Sequence, residues 1–212
     1  MDTSTIARPL GRPRDPRLDE AIAEAALELL AEVGYTALTM EAVAALAGVG
    51  KATLYRRWAG KEQLVVDALQ SLSEPTELAV GATVREQLVT LLEAMRRKGT
   101  ASRAGKILPR LLSAGAEHPE LMDRYRRQVL EPRRARFLAV LRRAVTEGLV
   151  RPDVDLGYAT DLMVGPVLYR SVIRTDPPPA SAMAEHVVDD VLRALAPFSS
   201  SPCSDPDPNE DV

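Results

Sequence analysis

Apolar residues recur at three- and four-residue intervals along nearly the whole chain, and no stretch sustains a strict apolar–polar alternation. That period belongs to helices buried by one face. It leaves no strand pattern from which a sheet could be built. Aromatic residues make up only 4% of the chain while hydrophobic residues make up 46%. A core of Ala, Leu, Val and Met suits helices that cross closely. The expected fold class is all-α, with about nine helices and no internal repeat.

Punctuation divides the 212 residues. Residues 1–15 carry Arg8, Arg12 and Arg14 among Pro9, Gly11 and Pro13, and read as a flexible basic arm. Asp15-Pro16 has the form of an N-cap followed by proline in the first turn. Ile22, Ala26, Leu29, Leu30 and Val33 then mark a helix that Gly34 stops. Thr39 opens a short helix that ends at Gly48, the run GVGKATLYRRW follows, and a fourth helix begins near Gly60. These short helices form one compact unit, 16–73, closed by Pro75. Residues 74–196 form a second helical domain, with helices expected over 82–98, 103–115, 119–147, 155–173 and 181–195. Pro132 is expected to kink the long one. Residues 197–212, rich in Pro, Ser and Asp, read as a disordered tail.

Charge is local rather than global. The net charge is −3, yet four arginines (8, 12, 14, 17) meet only Asp15, and Lys51, Arg56, Arg57 and Lys61 meet no acid between positions 50 and 61. Such patches are the footprint of a nucleic-acid contact inside an acidic protein. No apolar run reaches membrane-spanning length, and no secretory leader pattern opens the chain. The lone Cys203 excludes an intramolecular disulfide. No Gly-rich phosphate loop, HExxH or GxSxG occurs, so no enzyme and no cofactor are expected. His118 and His186 are far apart and lack ligand partners in sequence, so no metal is expected either.

Residues 39–58 fit a helix-turn-helix on physical grounds. Val43, Ala44, Ala47, Val49 and Leu54 offer small or branched apolar side chains where two helices must cross. Gly48 tolerates the backbone angles of the turn. With Leu54 inward, the helical step turns Ala52, Thr53, Tyr55 and Arg56 outward. That face suits a major groove, with Arg56 the candidate for a bidentate contact to guanine and Ala52 for a thymine methyl. A plain helical hairpin with a solvated face is the alternative. Arg12 and Arg14 either enter the adjacent minor groove, follow phosphates or stay in solvent.

The segment TALTMEAVAALAGVGKATLYRRWAGKEQLVVDAL resembles the signature of the tetracycline-repressor (TetR) family of bacterial regulators. The matching elements are Thr39, Ala47-Gly48-Val49, Thr53-Leu54-Tyr55, Trp58 and Lys61, and the resemblance to the DNA-binding unit covers roughly residues 16–70. It implies a three-helix N-terminal helix-turn-helix domain joined to a C-terminal ligand-binding and dimerisation domain. It implies that Thr39, Tyr55, Arg57 and Lys61 meet DNA phosphates, and that Lys51, Ala52 and Thr53 lie where the recognition helix meets bases and backbone. Leu54 and Trp58 read as core. Gly50 stands where the family often has Ser or Thr, which removes a hydroxyl and shifts contact onto Lys51, Arg56 and Arg57.

The same resemblance implies a cytoplasmic, nucleoid-associated homodimer that binds a palindromic operator and releases it to an unidentified small-molecule effector. Helices near 155–173 and 181–195 would pair the subunits, with Met183, Val187, Val188, Val191, Leu192 and Leu195 as an apolar stripe. Met95, Leu111, Met122, Tyr125, Phe137 and Met163 are candidates to line the effector site. Eight arginines between 124 and 143 face Glu131 alone in sequence, which reads as a solvated or salt-bridged face or as a surface for an anionic partner. Alternatives to a repressor are an activator of the same fold and a helical small-molecule-binding protein.

Overall fold

A computed structural model describes residues 16–72, 76–100, 104–174 and 182–198. No strand occurs among them. The helices are α1 (Pro16–Ala37), α2 (Met40–Leu46), α3 (Lys51–Tyr55), α4 (Lys61–Ser71), α5 (Val84–Thr100), α6 (Ala104–Ala114), α7 (Pro119–Tyr125), α8 (Glu131–Thr146), α9 (Leu156–Leu168) and α10 (Ala182–Leu195). A π-helical turn over Arg126–Leu130 joins α7 to α8, and a second over Tyr169–Arg174 extends α9. Counting 119–146 as one interrupted helix gives nine among the described residues, as expected. The interruption precedes Pro132, which cannot donate to the carbonyl of Gln128 and whose ring crowds it. A widened turn accommodates that loss. Arg12, Arg14, the Asp15 cap and Cys203 lie outside the described residues.

Helix ends follow local chemistry. Gly34 takes φ +80°, breaking α1 near its end at the expected position. Asp155 caps α9 by accepting from the amides of Gly157 and Tyr158. Thr83 and Glu86 form a reciprocal capping box at the start of α5, since each side chain accepts from the other's amide.

The described residues form two compact units, one from 16–72 and 104–130, the other from 76–100, 131–174 and 182–198. These do not coincide with a single boundary near 73. In the first unit Ile22, Leu30, Val43, Leu54 and Leu64 share one core with Leu111 and Leu121. Ile107, Leu111 and Ala114 fall on one stripe of α6, and that stripe is buried. Each such Leu or Ile contributes roughly 1.5–3 kcal/mol by leaving water. The apolar face of α6 therefore outweighs the sequence distance that separates it from α1.

The second unit buries Leu88 and Leu92 of α5, Phe137 and Leu141 of α8, Met163 of α9 and Val188 of α10. Part of the expected α10 stripe faces this core. Val188, Val191 and Leu195 are buried in their own unit, and Met183, Val187 and Leu192 pack against the same core. Exposed apolar side chains of this unit include Tyr158, Leu168, Tyr169 and Ile173 on α9 and its π-helical extension.

Candidate nucleic-acid interface

The interface begins at Thr39. Its backbone is extended (φ −123°, ψ 152°), and its Oγ1 accepts from the amide of Ala42 at 3.1 Å. The hydroxyl proton remains available to an external acceptor. At the other end of α2 the chain reverses through Gly48 at φ +67°. The amide of Val49 reaches the Ala44 carbonyl at 2.9 Å and that of Gly48 reaches Ala45 at 3.2 Å. This double closure needs a left-handed residue. Nothing lies within 4 Å of where a Cβ would stand on Gly48, so the backbone angle, not space, demands glycine.

Gly50 precedes α3 as its N-cap, is extended and offers no side-chain cap. Leu54 is fully buried and pins α3 inward. Trp58 is buried as expected, and its indole N–H donates to Asp67 Oδ2 at 2.9 Å, so its polar edge is satisfied. With those two anchors set, Lys51, Ala52, Tyr55 and Arg56 are exposed and Thr53 is half-buried. The outward face inferred from the helical step is the one the fold presents.

Two cations expected at phosphates have other partners. Arg57 Nε stands 2.5 Å from Asp19 Oδ1 in the first turn of α1, with only 13% of the arginine side chain exposed. The contact is an ion pair rather than an aligned hydrogen bond. Lys61 turns its ammonium inward, donating to the carbonyls of Tyr35 (3.1 Å), Thr36 (3.3 Å) and Leu38 (3.3 Å). It also sits 4.5 Å from the centre of the Tyr35 ring. An ammonium has three protons, and three carbonyls take them. The physical reason is local: the turn between α1 and α2 leaves carbonyls without amide partners, and Lys61 opens α4 beside them.

One acid belongs to the interface that residue patterns did not single out. Glu41, two residues after the Thr39 cap, places Oε1 3.5 Å from Lys51 Nζ and 3.5 Å from the Tyr55 hydroxyl. A backbone hydrogen bond within the first turn of α2, then Lys51 and Tyr55, hold its carboxyl below the usual carboxylate range. Asp19, Tyr35 and Asp67 were likewise not legible as partners, because each sits on a different element from the residue it meets.

The six candidate effector contacts separate into the two cores. Leu111, Met122 and Tyr125 pack with the helix-turn-helix residues of the first unit. Met95, Phe137 and Met163 belong to the second. The arginines of 124–143 are extensively paired within their own units. Arg124 meets Glu62 at 2.5 Å, Arg126 and Arg127 meet Asp123, Arg134 meets Asp161, and Arg143 meets Glu147. Among the described residues no helix is long and apolar enough to cross a membrane.

Known proteins match both parts of the chain. Residues 22–68 match the family described as bacterial regulatory proteins, tetR family, and residues 81–191 match the tetracyclin repressor-like C-terminal domain. The HTH-type transcriptional regulator YdeS of Bacillus subtilis is 34% identical over 170 residues, covering 78% of this chain and 84% of that protein. The DNA-binding transcriptional repressor TetR of Mycobacteroides abscessus is 33% identical over 177 residues, covering 82% and 92%. The crystal structure of the TetR family transcription regulator SCO0332 superposes with a TM-score of 0.65 at 31% identity, covering 85% of this chain and all of that one. A capped α2, a left-handed glycine turn, an α3 that presents cationic and polar side chains, and these relatives agree: the chain belongs to the TetR family of DNA-binding transcription regulators.

Proposed function

We propose that the protein is a dimeric repressor, binding a two-fold symmetric operator through α3 of each subunit and releasing it when a small molecule occupies the second unit. The observation that carries the reading is the outward face of α3, where Lys51, Ala52, Tyr55 and Arg56 stand exposed on a helix anchored by Leu54 and Trp58. Thr39 and Tyr55 offer hydroxyls to phosphates, and Thr53 and Arg56 offer polar groups to base edges. One such helix reads few base pairs, so two copies about one helical turn apart are needed for discrimination.

Support for pairing comes from the second unit, where Tyr158, Leu168, Tyr169 and Ile173 are exposed on α9 and its extension. Tyr169 and Ile173 are 55% and 67% exposed, an unusual state for large apolar side chains four residues apart on a helix. The repressor of M. abscessus supports the direction of control. The test is a footprint on duplex selected from a randomised pool, combined with sedimentation of wild type and Ile173→Asp. Two protected half-sites and a dimer that the substitution dissociates are the expected results. A single protected half-site bound by a monomer would overturn the dimeric reading.

A further inference from the structure

We infer that Glu41 is a specificity-determining residue of the DNA interface, an anionic tether that holds Lys51 and Tyr55 in register and taxes contacts made by charge alone. This rests on the DNA-binding function of α3 and goes beyond it, because Glu41 itself touches neither base nor phosphate in the scheme above.

The geometry is specific. One oxygen, Oε1, is 3.5 Å from both Lys51 Nζ and the Tyr55 hydroxyl. Lys51 and Tyr55 begin and end α3, so a single carboxylate on α2 spans the whole recognition helix. Glu41 is partly solvent-exposed, with 48% of its side chain accessible against 65% for Lys51. It therefore lies where an approaching phosphate backbone meets its field. Its carboxyl stays ionised through the working pH range.

Two consequences follow from opposite sides. On random DNA the binding energy is nearly all phosphate charge. There the carboxylate repels the backbone and competes for the Lys51 ammonium, so it weakens binding. On DNA that fits, base contacts from the outward face add to the charge term. There the tether helps, because Lys51 and Tyr55 arrive already placed and less side-chain freedom is lost on binding. Discrimination arises because the penalty falls on both kinds of DNA while the alignment benefits only one.

The test uses the full chain, with a duplex enriched by wild-type protein from a randomised pool and a scrambled duplex of equal length. Glu41→Gln removes the charge. Its affinity for scrambled duplex is expected to rise about fivefold at low salt, with a steeper salt dependence, since Lys51 then releases about one more counterion. Its affinity for the enriched duplex should stay within about twofold of wild type, so the ratio of the two affinities falls. Glu41→Asp keeps the charge but withdraws it by one methylene, letting go of contacts already at the edge of hydrogen-bond reach. It should raise scrambled-duplex affinity by less than Glu41→Gln does, because Lys51 is freed while the repelling charge stays, and it should weaken the enriched duplex about threefold, the order of one exposed polar contact.

Equal gains on both duplexes for Glu41→Gln, or wild-type behaviour of Glu41→Asp on both, would reduce Glu41 to net charge and overturn the inference. A wild-type protein that enriches no sequence would instead overturn the DNA-reading function itself. Unchanged thermal melting of both variants is expected, as the side chain is exposed. A loss of melting temperature together with loss of all binding would assign Glu41 to the fold and also overturn the inference.

Discussion

Arg57, just past the recognition helix, and Asp19, in the first turn of α1, stand 2.5 Å apart and tie the start of α1 to the segment that follows α3. The arginine is mostly buried while the aspartate keeps about a third of its surface. Arg57→Ala should therefore lower stability by about 1–2 kcal/mol, above the range of fully exposed pairs. The salt dependence of DNA binding should keep its wild-type slope, because the guanidinium is turned toward Asp19. Denaturant unfolding and a salt titration check the two halves. A slope reduced by about 1 without loss of stability would place Arg57 on the DNA backbone after all.

Lys61 makes a second tie. Lys61→Met keeps the stem but abandons the carbonyls of Tyr35, Thr36 and Leu38 immediately before the Thr39 cap. Leaving such groups without their donor costs about 1–3 kcal/mol. Hydrogen exchange should accelerate at the first amides of α2, where Ala42 depends on the Thr39 hydroxyl. Unchanged exchange and stability, with weaker binding to every sequence, would return Lys61 to the phosphate-contacting role.

Tyr35 carries a pH signature. Burial, then the charges of Glu62 and Glu120, push its phenol from 10.0 up to about 12. In the unfolded chain the phenol ionises near the lower value, while the folded chain keeps its proton longer. The contribution is thus fully present below pH 10 and is lost as pH climbs toward 12, at up to about 1.4 kcal/mol per pH unit. Stability measured across that window should fall less steeply for Tyr35→Phe than for wild type. Parallel curves would show that Tyr35 titrates normally.

Arg56 tests base reading. It is exposed at the C-terminal end of α3, which terminates at Tyr55. Arg56→Ala should relax preference at one base position of the enriched duplex, costing about 1–3 kcal/mol there, and should barely change affinity for scrambled duplex. Binding to a panel of single-position variants of the duplex measures this. A uniform loss across the panel would mark a phosphate contact instead.

Much of the interface was legible because it depends on neighbours in sequence. Thr39 caps the helix that begins one residue later, Gly48 turns the chain where α2 must end, and Leu54 turns Ala52, Tyr55 and Arg56 outward by helical geometry alone. The capping box of Thr83 and Glu86 is of the same kind. Electrostatic partners were not legible. A run of Lys51, Arg56, Arg57 and Lys61 reads as one cationic patch in sequence, yet the fold spends Arg57 on Asp19 and Lys61 on backbone carbonyls, and shares Lys51 with Glu41.

Neighbouring residues alone were enough to make the chain helical, to start and stop most of its helices, and to turn one face of α3 outward. Each of these is set within one or two helical turns, by capping, by left-handed glycine and by the 3.6-residue period. Packing, by contrast, set that α6 and α7 join the unit that holds the helix-turn-helix, that Val188, Val191 and Leu195 of α10 face their own core, and that Arg57 meets Asp19 while Lys61 meets backbone carbonyls. Periodicity reports that a face is apolar and composition reports that a side chain is charged. Which surface covers that face, and which opposite charge meets that side chain, depends on residues brought close only when the helices pack.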